Sequence, residues 1–314
     1  GLVRIGREQR VVGASYVTDK RQVEFFDPEL RKLRDALAKA LPGKPLVSFV
    51  DATADESKLV MFAGSDKDPG TYYLYDKASR KLSELLSVRP ELAEAKLATV
   101  TPVDFPAADG TRIPGYLTLP AGSDGKNLPA IVMPHGGPGA RDEWGFDWLA
   151  QFFAAQGFAV LQPNFRGSAG YGRDWRTAIY RWMGGRDLQD HVDGSRWLQQ
   201  QFGVQPERVG IYGGSYGGFI TLMALFTAPK QFGAGAALRA VTDWAHYNHG
   251  YTGRILNLDI DTVRFPNGSQ GELEMVRHPG ASAVVPFLSD PAGEDPQILL
   301  IRQYRYAAGG FLYE

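Results

Sequence analysis

Cysteine is absent from this chain of 314 residues. That single absence removes disulfide scaffolds, thiolate metal sites and cysteine nucleophiles. Histidine is scarce. His135, His191, His246, His249 and His278 are the whole supply of imidazole bases and ligands. An excess of charge of either sign is also missing, because 34 basic and 35 acidic side chains leave a net charge of −1. Such a balance excludes the basic footprint of a nucleic-acid binder and a polybasic membrane surface. No apolar run approaches the roughly 20 residues of a spanning helix, and none near the start has the length of a signal peptide. These features do not mark a compartment, since exported proteins also lack cysteine; the cytoplasm is the default expectation. The chain opens on Gly1 without methionine, which reads as a start inside a longer protein.

Apolar residues make up 44% and charged residues 22%, enough for a sizeable core and too apolar for disorder throughout. The first ninety or so residues read as mostly β. Arg10–Val17 and Arg21–Phe26 are strand-like, with Asp19 and Lys20 at the turn between them. Asp27-Pro28 is an N-cap followed by proline at the first helical position, and Leu30, Leu33, Leu37 and Leu41 share one face of the helix that follows. Four short strands come next, Pro45–Val50, Lys58–Phe62, Thr71–Tyr75 and Lys81–Leu85, separated by polar turns. That is the pattern of one propeller blade, which cannot bury its faces alone; a free-standing β-meander is the simpler alternative. The aromatic run Tyr72–Tyr75 reads as packing within this sheet, and 90–96 as a linker.

From about residue 98 the pattern alternates. Val100–Phe105 and Ile113–Leu119 flank the hairpin signal Asp109-Gly110. Apolar strands at Ala130–Met133, Phe158–Leu161, Arg208–Tyr212 and Gly233–Ala237 are separated by helices at Glu143–Gln156, Asp187–Phe202 and Tyr216–Ala228. Continuously apolar strands between helices imply a doubly wound, mostly parallel α/β sheet covered on both faces. With an antiparallel hairpin leading in, the arrangement suggests an α/β-hydrolase.

Gly213-Gly-Ser-Tyr-Gly-Gly218 stands directly after one of those strands and directly before a helix. In that context Gly-x-Ser-x-Gly is a nucleophile elbow, a sharp turn that lifts the Ser215 hydroxyl above the sheet. Met133-Pro-His-Gly-Gly-Pro-Gly139, after the earlier strand, is a glycine-rich turn able to present backbone N–H groups to that serine as an oxyanion hole. The N–H of Tyr216 is the second expected donor. The position of His135 argues for holding this loop, not for catalysis. Asp187, Asp190, His191 and Asp193 crowd one stretch; Asp187 as N-cap with Asp190 in the first turn explains them better than a cation site.

Gly213–Gly218, His135-Gly-Gly-Pro138 and Asn164-Phe-Arg-Gly-Ser-Ala-Gly-Tyr-Gly172, with Gly184-Gly-Arg-Asp187 and Val241-Thr-Asp-Trp244, together resemble the catalytic domain of the prolyl oligopeptidase family of serine peptidases, of the acylaminoacyl- or dipeptidyl-peptidase type. The resemblance implies hydrolysis of short peptides by a Ser-Asp-His triad, with no cofactor and no metal. By position it makes Ser215 the nucleophile and Tyr216 and Gly137 the oxyanion donors. It also implies that residues 1–92 are the end of a propeller domain and 93–257 the peptidase domain.

The acid and the base of such a triad follow the nucleophile on later strands, and here the chain departs from the family at about Asn257. His246 and His249 come too soon after the preceding strand to be the base, and His278 lacks the expected strand-plus-Asp context. The tail reads as a strand and turn over Asn257–Gly268, with Glu272–Phe287 and Gln297–Tyr306 as paired strands. Residues 254–314 are similar to the N-terminal sheet of Nudix-class ADP-ribose pyrophosphatases. The glutamate box that holds metal in that class is not in the sequence, so no metal site is expected. Gly253-Arg-Ile-Leu-Asn257 reads as a junction, and 258–314 as a partial Nudix-like β region. The expectation is a serine peptidase impaired by loss of its triad partners. The alternatives are a pyrophosphatase fragment and a non-catalytic interaction module. Oligomeric state is not legible.

Overall fold

The computed structural model describes residues 1–43 and 45–244, with the backbone of four further strands at 257–264, 270–277, 302–305 and 310–313. These fall into two compact units, residues 1–240 and 241–314.

The first unit opens with β1 (Leu2–Ile5), β2 (Arg10–Val17) and β3 (Arg21–Phe25), an antiparallel three-stranded sheet. Helix α1 (Pro28–Ala40) starts as its sequence dictates. Asp27 accepts from the amides of Glu29 and Leu30, and Pro28 fills a first-turn position that needs no amide donor. Leu30 is fully buried, and Leu33, Leu37 and Leu41 pack against the same core. Strands β4 (Leu46–Ala52), β5 (Lys58–Ser65), β6 (Asp68–Asp76) and β7 (Lys81–Ser87) form an antiparallel meander in sequence order. Tyr73 and Tyr75 pack on the shared core, and Tyr72 meets Phe62 at 5.2 Å between ring centroids.

A short 3-10 turn at Pro90–Leu92 leads to β8 (Thr99–Pro106) and β9 (Arg112–Leu119), the expected hairpin. Then come β10 (Ala130–Val132), α2 (Trp148–Ala155), β11 (Ala159–Pro163), α3 (Arg173–Thr177), α4 (Arg186–Phe202), β12 (Val209–Gly214), α5 (Tyr216–Thr227) and β13 (Ala234–Leu238). The six strands make one sheet in the order β13-β12-β10-β11-β9-β8. β11, β10, β12 and β13 are mutually parallel; β9 is antiparallel to both neighbours. Successive side chains leave a strand on opposite faces. Accordingly Val160 packs with α2 residues Leu149, Ala150 and Phe153, while Leu161 lies 3.0 Å from where a β-carbon on Gly194 of α4 would stand. Both faces of the central strands are covered, which is why they read as unbroken apolar runs.

Three expectations need correction. The helix expected from Glu143 starts at Trp148, because Asp147 caps it and the preceding residues tie the sheets together. Glu143 pairs with Arg21 of β3, the Trp144 indole donates to the Val100 carbonyl at 2.9 Å, and Lys20 Nζ stands 3.5 Å from the Trp144 ring. The N-cap of α4 is Gly185, not Asp187, and both Asp187 and Asp190 are fully buried with other partners. Finally, β1 and the short helix α3 were not anticipated.

In the second unit, β14 (Asn257–Arg264) pairs antiparallel with β15 (Gln270–Arg277), and β16 (Arg302–Arg305) with β17 (Gly310–Tyr313). Each strand therefore pairs with its neighbour in sequence. The pairing expected between Glu272–Phe287 and Gln297–Tyr306 is not among the described residues. His246, His249, His278 and the junction at 253–256 also lie outside them.

Candidate active site

Within the sheet, the chain leaves β10 for β11 on one side and later returns to β12 on the other. Strand order reverses between β10 and β12, and in open α/β sheets such a switch point, at the carboxyl ends of the strands, is where ligands bind. Two glycine-rich segments meet there, His135–Gly139 after β10 and Gly213–Gly218 after β12.

Ser215 sits between β12 and α5 with φ +57° and ψ −117°, a strained conformation for a residue with a side chain, and it is solvent-exposed. Strain of this kind persists only where the surroundings over-determine it. Here backbone packs on backbone. A β-carbon on Gly213 would lie 2.4 Å from the Gly217 carbonyl oxygen, and one on Gly217 would lie 2.2 Å from that of Pro134. Gly136 faces the serine, its absent β-carbon 3.6 Å from Ser215 Cβ. The turn also places Tyr216 at the first position of α5. Amides there have no carbonyl four residues back within the helix, and the helix dipole favours negative charge beside them.

Below the turn lies an aromatic stack. Phe165 is sandwiched with His135 at 4.4 Å and Tyr216 at 6.1 Å between centroids, with His191 tilted against it at 4.7 Å. His135 Nδ1 donates to the Gly136 carbonyl at 2.7 Å, which leaves Nε2 to accept from the Ser168 hydroxyl at 2.8 Å. Burial holds this imidazole neutral, with its pKa lowered to about 4. His191 is fully buried, donates to the Asp187 carbonyl at 2.7 Å and is lowered by burial to about 3. Both described histidines are thus neutral and bonded to groups other than the Ser215 hydroxyl. Among the described residues the Ser215 hydroxyl has no hydrogen-bond partner.

The acidic cluster on α4 resolves into separate structural jobs. Asp187 accepts from the Tyr216 hydroxyl and from the Gly184 amide at 3.3 Å; burial raises its pKa, and that of the tyrosine as well. Asp190 takes the Arg166 guanidinium on two nitrogens and the Arg166 amide at 2.8 Å. Its pKa stands near 6, raised by burial in spite of that pairing. Arg166 also reaches Asp109 in the β8–β9 turn, whose carboxyl it holds down at about 2. Asp193 accepts from the Ala108 amide at 2.7 Å and from Arg196 at 3.1 Å. Buried acids of this kind are bound to specific donors and are not gathered on a cation. Among the described residues, no group of three or more His, Asp and Glu is placed to hold a metal ion.

Sequence reasoning missed Asp142. It follows the His135–Gly139 turn, is half-buried with its Oδ2 shielded from solvent, and is pushed up to about 7 by desolvation and by the nearby Asp147 carboxylate. Its only sequence signal is its place two residues after Ala140.

Residues 144–271 match the family model described as the prolyl oligopeptidase family, and the match runs past the expected junction. The chain is 34% identical over 233 residues to dipeptidyl aminopeptidase BIII of Pseudoxanthomonas mexicana, covering 72% of this chain and 33% of that protein. It is 32% identical over 210 residues to dipeptidyl peptidase family member 6 of Caenorhabditis elegans, covering 60% and 28%. Among solved structures, the Pyrococcus horikoshii acylaminoacyl peptidase aligns with a TM-score of 0.54 at 26% identity, over 68% of this chain and 33% of that one. A puromycin-hydrolyzing peptidase of Mycobacterium tuberculosis aligns with a TM-score of 0.60 at 23% identity, over 79% and 39%, which speaks to the fold alone. The chain spans about a third of the length of these relatives. With an α/β sheet of this order, a strained serine at its switch point and these matches, the chain belongs to the prolyl oligopeptidase family of serine peptidases.

Proposed function

We propose that residues 93–257 carry the acyl-transfer centre of a peptidase acting on short peptides, with Ser215 as nucleophile and the backbone N–H groups of Tyr216 and Gly137 as oxyanion donors. The observation that carries this reading is the strained, exposed Ser215 at the head of α5, facing the Gly136-Gly137 turn. An acyl-enzyme forms when the serine oxygen attacks the scissile carbonyl, its proton passes to a base and on to the leaving nitrogen, and the C–N bond breaks to release the amine. The developing oxyanion is held by amides already oriented towards it.

In this reading the chain is impaired, because the acid and base of a triad are not supplied by its own residues. The neutral, engaged state of His135 and His191 supports that view. Residues 1–92 are read as the end of a propeller, with the meander β4–β7 as one blade. For 258–314, the described antiparallel hairpins are the only support for a Nudix-like reading.

Fluorophosphonate labelling of the purified chain tests the nucleophile. Slow, stoichiometric labelling that disappears in Ser215→Ala is expected, and no labelling above that of Ser215→Ala would overturn the assignment. Rapid aminoacyl-ester hydrolysis abolished by Ser215→Ala would overturn the impairment.

A further inference from the structure

We propose that Arg176 forms a carboxylate-binding subsite beside the nucleophile, so that the site favours short peptides carrying a carboxylate two or three residues from the attacked carbonyl. This rests on the reading of Ser215 as nucleophile. Arg176 belongs to α3, in the connection that leaves the carboxyl end of β11, on the same side of the sheet as the His135–Gly139 turn and Ser215. Its guanidinium lies flat on Gly139. A β-carbon there would stand 2.7 Å from Nη2 and 3.0 Å from Cζ. At the other end of the same turn, Gly136 abuts Ser215. Gly136 and Gly139 are three positions apart, so the backbone between them spans at most about 11 Å. The fold at Gly137 shortens this, since its β-carbon position lies 2.8 Å from the Gly139 amide. An extended peptide covers that distance in two or three residues.

Unlike those of Arg166 and Arg141, the Arg176 guanidinium has no hydrogen bond or ion pair among the described residues. Arg166 is consumed by Asp190 and Asp109, and Arg141 bonds the Tyr171 hydroxyl. The exposed connection from Gly172 to Arg186 carries Arg173, Arg176, Arg181 and Arg186 against Asp174 alone, a net charge of 4 − 1 = +3. Asp174 stands 4.0 Å from Arg173, leaving Arg176 as the cation packed on the turn that faces the serine. A planar guanidinium held flat by its neighbour presents its donor edge in the fork that a carboxylate matches.

The test is calorimetric binding to the full Ser215→Ala chain, which separates recognition from turnover. Three tetrapeptides are compared: a neutral peptide with a C-terminal amide, the same peptide with a free C-terminal carboxylate, and the amide carrying glutamate at its third position. The expected result is about tenfold tighter binding of at least one carboxylate peptide than of the neutral amide, and which one binds identifies the source of the carboxylate. Arg176→Gln is expected to bring the ratio to about one, and Arg176→Lys to keep part of it. Equal binding of all three peptides, no binding of any, or a preference that survives Arg176→Gln would overturn the proposal. Fluorophosphonate labelling of the unsubstituted chain reports on Ser215 independently. Labelling without carboxylate preference sinks only the subsite, whereas preference without labelling sinks only the nucleophile.

Discussion

Strands β12 and β13 lie side by side in one parallel sheet, and both are made of small and apolar residues. They end in opposite circumstances. Val209 and Ile211 of β12 are buried, and the strand runs into a turn where backbone touches backbone at Gly213 and Gly217. Every residue of β13 is exposed, Leu238 to 47%, and among the described residues β12 is its only strand partner. Small residues are therefore obligatory against backbone in one strand's turn, whereas along the other a β-carbon on Gly235 would meet side chains only, Leu225 at 2.8 Å and Ile211 at 3.1 Å. An apolar, glycine-containing run signals a strand, but composition alone does not reveal whether anything covers it.

The largest effect that would separate the two strands is expected at Gly217→Ala. The added methyl meets the Pro134 carbonyl, backbone that cannot swing aside, so a loss of about 3 kcal/mol or more in urea unfolding is expected, with slower labelling of Ser215. A loss below about 1 kcal/mol would mean that the turn is looser than its geometry and would erase the contrast.

An intermediate effect is expected at Asp142, in the connection between β10 and α2. Its folded pKa of about 7 lies above the ordinary carboxylate value near 3.9, so the native state holds the proton more tightly over that window. The stability it contributes is complete below about pH 4 and is lost as pH rises through 7. Burial of neutral His135 and His191 acts in the opposite sense, since stability falls as pH drops below about 6.5. Comparing Asp142→Asn with the parent chain isolates the carboxyl. The variant is expected to be more stable at pH 8 by on the order of 2–4 kcal/mol, with little difference at pH 4. Identical pH slopes from chemical unfolding of the two proteins would remove this account.

The smallest effect belongs to β13. Ala236→Ser adds a hydroxyl at an exposed position and is expected to change stability by no more than about 0.5 kcal/mol. A loss above about 1.5 kcal/mol would show that the strand is covered, and the comparison with β12 would fail.

Much of the architecture was legible. The period of the apolar residues marked each parallel strand and the helices α2, α4 and α5, since burial on both faces leaves no polar alternation to confuse the reading. Asp27-Pro28 announced α1 because a cap and a proline act locally. Ser215 was legible for the same reason: glycine on both sides of a serine between a strand and a helix is a local demand of the backbone. The cluster on α4 was misread because local logic was applied to residues whose partners are distant in sequence. Asp187 is committed to Tyr216 and Asp190 to Arg166, 29 and 24 residues away. The late start of α2 has the same origin, since Glu143 and Trp144 serve contacts with β3 and β8.

What the sequence alone determined is therefore what short-range physics controls: the strand and helix pattern, the cap of α1, the absence of thiol chemistry, and a strained serine turn that only glycine permits. What the tertiary structure decided is which buried polar group answers which. It made His135 and His191 neutral struts, gave the α4 carboxylates their partners, raised the Asp142 pKa, and brought Arg176 onto the turn beside Ser215. Those outcomes depend on desolvation and on contacts between residues far apart in the chain, neither of which exists until the sheet has assembled.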